Sequence, residues 1–330
     1  ENENNLSIKD FEFTKNFKIK EIKNIKFDYF DKDNIKNSLQ FEKFNKDYKL
    51  SGGSFNIDKI ITELLKSKEA SKKYFLNNDF KVLLDIEKIY FDENNFTKNL
   101  KGFFLFNDNK LTELNLVSEF LNKEKIRLTI KTTENGEKIT TLFSDEAKPL
   151  VDRYKFIKGF NEGKLDFYSI KKNEESKSTL KIYDFKLKEL PALTKILTLA
   201  SLQGIADLLS GEGIRFDEFE MNFTNKKDLM TINEIYAIGP AISILMEGYI
   251  EKDNLISLRG TLVPATTINK TISSIPLLGD ILVGKKAGEG VFGVSFKIKG
   301  PPKKLETTVN PVKTLTPRFI TRTLEKIKKN

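Results

Sequence analysis

The chain has 330 residues, with 56 Lys and Arg against 47 Asp and Glu, for a formal charge of +9. It contains no His, no Cys and no Trp. This excludes imidazole-based triads, the usual His-bearing zinc and iron sites, disulfides, thiolate nucleophiles and iron–sulfur clusters. Enzyme chemistry would have to come from paired carboxylates, a Ser–Lys pair or a bound cofactor. Hydrophobic residues make up 39% of the chain, and Phe outnumbers Tyr 27 to 9, enough apolar material for a core. The first residue is Glu1, with neither a basic n-region nor an apolar h-region after it. That predicts a processed chain or a piece of a longer one.

In chain order, the dominant hydrophobic period is two. Val82, Leu84 and Ile86 alternate with more polar neighbours, as do Leu114 and Leu116. Ile126, Leu128 and Ile130 alternate with Arg127, Thr129 and Lys131. Phe219, Met221 and Phe223 continue the pattern, then Leu258 and Leu262, then Phe292, Val294, Phe296 and Ile298. Each run predicts a strand with one apolar and one polar face. Asn107-Asp108-Asn109 and Asn135-Gly136 supply hairpin turns. Short helices are expected at about 57–68, 145–157, 191–209 and 314–328, the third started by Pro191 and stopped by Ser210-Gly211. No βαβ alternation is present, so a doubly wound fold is not expected. No uninterrupted apolar run is long enough for a membrane-spanning helix.

From Leu190 onward the sequence reads LPALTKILTLASLQGIADLLSGEGIRFDEFEMNF, then AIGPAISILMEGYI, LISLRGTLVPATTINKTISSIPLLGDIL, GEGVFGVSFKIKGPPKKLETTVNP and TPRFI. This resembles the C-terminal region of the AsmA-like envelope proteins, the YhdP and TamB relatives among them. FSDEAKPLVDRYKFIKGFNEGKLDF and SGGSFNIDKIITELL resemble earlier instances of the same repeat. The likeness is strong over 143–330, moderate over 48–142 and weak before that.

The resemblance implies a mostly β protein: an elongated, curled antiparallel sheet forming a groove, with a few amphipathic helices at its rim and C-terminal end. Residues 1–142 would be a repeated groove segment and 143–330 the C-terminal segment of one continuous body. The implied role is phospholipid transport between the inner and outer membranes, as in bridge-like lipid transfer proteins, with no catalysis and no cofactor. The implied location is the periplasm of a diderm bacterium, held at the inner membrane by an N-terminal segment absent from this chain. Groove-lining residues are then expected, by strand parity, to be Leu84, Ile86, Leu114, Leu116, Ile126, Leu128, Ile130, Met221, Phe223, Leu258, Leu262, Phe292, Val294 and Phe296. A register error of one residue would turn each of them outward.

Physical chemistry favours the same reading. Shielding a sixteen-carbon acyl chain needs about 13 kcal/mol at roughly 0.8 kcal/mol per methylene, which a continuous apolar sheet face supplies.

Most of the charge lies at one end, where ten basic and two acidic residues between Lys297 and Asn330 give +8. Arg318, Phe319, Arg322, Lys326 and Lys328 would form a basic amphipathic helix for an anionic membrane surface. A solvated helix packed on the sheet, or one docked to an envelope protein, fits the same residues. Gly288, Gly290 and Gly293 satisfy G-x-G-x-x-G, but a strand follows where a nucleotide fold needs a helix. Nucleic acid is not an expected partner, because residues 1–296 carry almost no net charge. Adjacent carboxylates such as Asp145-Glu146 and Asp217-Glu218 point apart on a strand and make poor acid–base pairs. The alternatives are a self-filled β-body that scaffolds envelope components, and a membrane-associated carboxylate enzyme.

Overall fold

A computed structural model describes residues 4–13, 15, 19–58, 79–108, 110–152, 159–188, 190–200, 202–264, 293–302 and 304–312. Strand dominates, and the seventeen strands found among these residues belong to one sheet. Contacts divide the chain into two compact units. One comprises Glu1–Arg153 with Lys164–Glu174, the other Tyr154–Gly163 with Glu175–Asn330.

The first unit contains β1 (Asn5–Phe13), β2 (Ile19–Phe30), β3 (Lys36–Phe44), β4 (Asp47–Asn56) and β5 (Phe80–Tyr90). It continues with β6 (Phe96–Asn107), β7 (Lys110–Glu119), β8 (Lys125–Thr132), β9 (Lys138–Ser144), a one-turn helix α1 (Lys148–Val151) and most of β10 (Asn161–Lys172). Each strand pairs with the next, antiparallel in every case but one. The exception is β4 with β5, which run parallel with Tyr48 opposite Val82. A parallel pair needs a connection of a dozen or more residues, and Asn56 and Phe80 are far enough apart in sequence to allow it.

The second unit contains β11 (Glu175–Leu187), α2 (Pro191–Leu199), α3 (Gln203–Ser210) and β12 (Ile214–Lys226). After these come β13 (Leu229–Ile238), β14 (Ile242–Glu251), β15 (Leu255–Pro264), β16 (Gly293–Gly300) and β17 (Glu306–Val312). From β11 to β17 every strand pairs antiparallel with its successor.

Turn chemistry explains the meander. Gly136 takes φ 75° between β8 and β9, and its N–H donates to the Thr133 carbonyl at 2.9 Å. Elsewhere a single left-handed residue sits at the tip: Asn34, Asn45, Asp108, Lys123, Asn173, Lys227 and Asp253 all have φ between 48° and 71°. Asn and Asp tolerate that conformation best among non-glycine residues.

The helices differ from the sequence expectation in two respects. The helix expected over 191–209 is two helices, broken after Leu199. The Ala200 N–H still reaches the Ile196 carbonyl, but the Leu202 N–H closes back on Leu197 at 2.8 Å, which ends the first helix. The helix expected at 145–157 is present only as α1 among the described residues. Nearly all of 57–68 and the whole of 314–328 lie outside the described residues.

Candidate functional site

The registers show which side chains share a face, since directly opposed residues project from the same side of a sheet. In the first unit, Leu84 of β5 faces Gly102 of β6, which faces Leu116 of β7, then Leu128 of β8 and Leu142 of β9. Phe104, Leu114 and Ile130 form the neighbouring row. In the other direction a neighbouring row runs from Ile86 to Gly52 of β4, Leu39 of β3 and Phe27 of β2. Leu84, Ile86, Leu114, Leu116, Ile126, Leu128 and Ile130 therefore lie on one continuous apolar face. Stacked rings reinforce it: Phe41 and Tyr48 are 4.8 Å apart, Tyr48 meets Phe80 edge-on at 5.6 Å, and Phe80 stacks on Phe106 at 4.8 Å.

The second unit repeats the arrangement with other residues. Met221 of β12 faces Ile235 of β13, then Met246 of β14, Gly260 of β15 and Phe296 of β16. Phe223, Ile232, Gly248, Leu258 and Ile298 make the adjoining row. Leu262 faces Val294 in the row on the other side. Phe292 lies outside the described residues.

Burial divides these residues into two groups. Ile86 is 1% exposed and Leu262 0%, and Leu84, Leu114, Ile130, Val294 and Phe296 are also buried. Leu116, Ile126, Leu128, Met221, Phe223 and Leu258 are half-buried and keep surface for another molecule. The first group holds the sheet together. Only the second can offer apolar area to a ligand without unpacking the protein.

Bulges and glycines complete the faces. Between Met221/Phe223 on one strand and Ile235/Ile232 on the other, β13 carries one extra residue, so both isoleucines point the same way. Leu111 and Leu114 are brought together by the same device on β7. Glycine is required at several positions, Gly102 and Gly260 among them. A Cβ at Gly102, whose φ is 153°, would lie 1.9 Å from the Asn115 carbonyl oxygen. At Gly260 it would lie 2.6 Å from Cζ of Phe296, whose ring occupies that space.

The helix pair sits at one end of the second face. α2 follows β11 directly yet touches α3 and β17, six strands along the unit's ladder. A flat sheet would separate β11 from β17 by about 29 Å, against a length of roughly 13 Å for the nine-residue α2. The contact requires the helix to lie across the strand ends or the two edges to approach each other. Near the same end Phe160, Phe185 and Phe216 stack in series at 5.3 Å spacings.

The opposite faces are mostly polar, although in the second unit Tyr236 and Val263 are buried there. Lys181 pairs with Glu220 at 3.2 Å and Arg259 with Glu247 at 2.7 Å. Burial alone would lower the Lys181 ammonium, but Glu220 outweighs it and holds the pKa above the ordinary lysine value. An open recess of about 350 Å³ crosses this face of the second unit between the Leu245–Thr261 and Glu247–Arg259 rows, with Glu234 at its side. In the first unit, Asn122 donates to both Glu124 and Glu146, at 2.9 and 2.8 Å. Burial and the Glu124 charge raise the Glu146 carboxyl. This close acidic pair joins residues far apart in sequence, which inspection of adjacent carboxylates could not find. Among the described residues, no group of three or more acidic side chains is placed to hold a metal ion.

Arg318, Phe319, Arg322, Lys326 and Lys328 lie outside the described residues. No helix among the described residues is long and apolar enough to cross a membrane. Comparison with protein-family models, with curated proteins and with solved structures found no match to this chain.

Proposed function

We propose that the chain carries phospholipids, with acyl chains lying along the apolar faces and headgroups left in water. The observation that supports this is the pair of in-register apolar faces, each spanning many strands and backed by a polar face. The half-buried residues Leu116 and Leu128 line the face of the first unit, and Met221, Phe223 and Leu258 that of the second. A curled sheet would wrap such a face into a groove, which the contact of α2 with β17 favours in the second unit. The AsmA-like resemblance of the sequence points the same way. On this reading the protein is non-catalytic and works in the envelope of a diderm bacterium between two membranes, with the basic C-terminal segment meeting an anionic surface.

The test is transfer of fluorescent phospholipid between donor and acceptor vesicles by the wild type and by Leu128→Asp. Leu128 is half-buried, so the variant is expected to keep its fold by circular dichroism and lose most transfer. A folded variant that transfers normally would overturn the assignment.

The near-complete burial of Ile86 and Leu262 favours a second reading, in which the faces are filled by protein and the chain scaffolds envelope components.

A further inference from the structure

The two ends of the apolar face in the second unit differ. Consecutive strands alternate in direction, so the end of β11, the start of β12, the start of β14 and the end of β15 lie together, beside the helix pair. There Ile242, Leu262, Leu197 and Leu209 are all 0% exposed. Eight residues along β14 from Ile242, the last apolar row is Met230, Ile250 and Ile256, opposed in register, and all three are half-buried. Leu229, at the adjoining tip, is 40% exposed. Between the two ends, buried Ile232 and Ile298 share a row with half-buried Phe223 and Leu258.

Resting on the lipid-carrying reading, we propose that α2–α3 is a built-in stopper that divides this face into a dry end, filled by the protein, and an open end that takes acyl chains. The physical reason is the free-energy cost of an apolar surface facing water. At the helix end the leucines and isoleucine of α2 and α3 meet that cost permanently. Leu193, Ile196 and Leu197 are buried on α2, and Ala206 and Leu209 on α3. Pro191 starts the first helix, the helical run breaks between Leu199 and Gln203, and the two short helices touch each other while α2 also touches β17. Acyl chains would then enter at the Met230–Ile250–Ile256 row, advance along the half-buried positions and stop before Leu262. The stopper fixes one terminus of the path, and lipid must enter and leave elsewhere.

The experiment is photo-crosslinking with a phospholipid that bears a diazirine on its acyl chain, delivered to the whole unmodified chain from vesicles. Adducts are then mapped by peptide mass spectrometry. The expected result is several-fold more adduct on Met230, Ile250 and Ile256 than on Ile242 and Leu262. In Leu197→Ala, which thins the stopper without adding charge, adducts should spread to Leu262. Equal labelling of both ends in the wild type, or preferential labelling of Ile242 and Leu262, would overturn the stopper while leaving lipid carriage intact. No adduct anywhere would overturn lipid carriage, and the stopper with it.

Discussion

The two units present the same kind of apolar face and bury it by different means. In the first, the best-packed region lies within the sheet, where Leu39, Tyr48, Phe80, Val82, Leu84, Ile86 and Leu100 form one cluster. A run of rings from Phe41 through Tyr48 and Phe80 to Phe106 crosses four strands there. In the second, the deepest burial is at one end, next to two helices inserted between adjacent strands. A period-two pattern specifies only that a face must be covered. What covers it is decided by residues outside the pattern, either large aromatics within the strands or an amphipathic insertion between them.

This comparison can be broken by substitution. The largest effect is expected from Phe80→Ala, which removes the ring between Tyr48 and Phe106. It should destabilise the first unit by about 3–5 kcal/mol, read from chemical denaturation. Leu197→Ala should cost the second unit roughly 2–4 kcal/mol by opening a cavity at the helix end. If Phe80→Ala proves the milder of the two, the aromatic run is not the principal support of the first unit. Gly102→Ala puts a Cβ against the Asn115 carbonyl, and strain of about 1–3 kcal/mol is expected. Gly53→Ala, which meets nothing within 4 Å, serves as its control.

A smaller, pH-dependent effect concerns Asp31. Burial alone would raise its carboxyl, but hydrogen bonds from the Ile35 and Asp33 N–H groups and the Asn56 and Asn37 amides hold it below the ordinary value. A depressed carboxyl stabilises the fold above its unfolded pKa, and the contribution is lost as pH falls through the folded one. Thermal denaturation of Asp31→Asn should therefore lie below wild type at neutral pH, with the gap closing as pH falls below about 4. A gap independent of pH would contradict this account. The smallest effect is expected from Glu146→Gln, which removes the repulsion from Glu124 and should raise stability slightly at neutral pH. That gain should disappear in acid, where the wild-type carboxyl is protonated.

Much of this was legible in the sequence. Ile126, Leu128 and Ile130 alternate cleanly, and Asn135-Gly136 fixes the hairpin, so the strands and their apolar parity could be read directly. Parity fails where a bulge changes the phase. Leu111 and Leu114 are three apart, as are Ile232 and Ile235, and period-two reading passes over them although each pair shares a face. The glycines were silent for a related reason, since Gly102 and Gly260 matter through what their neighbours occupy. The parallel β4–β5 pair depends on a crossover whose sequence gives no strand-direction signal. The helix break at Ala200–Leu202 was hidden because Leu, Ala and Gln all favour helix.

Native mass spectrometry of the purified chain, followed by organic extraction, tests the central claim most directly. The account predicts phospholipid retained at a few molecules per chain and displaced when Leu128, Met221 and Leu258 are made polar. A lipid-free mass, unchanged after incubation with phospholipid vesicles, would contradict it.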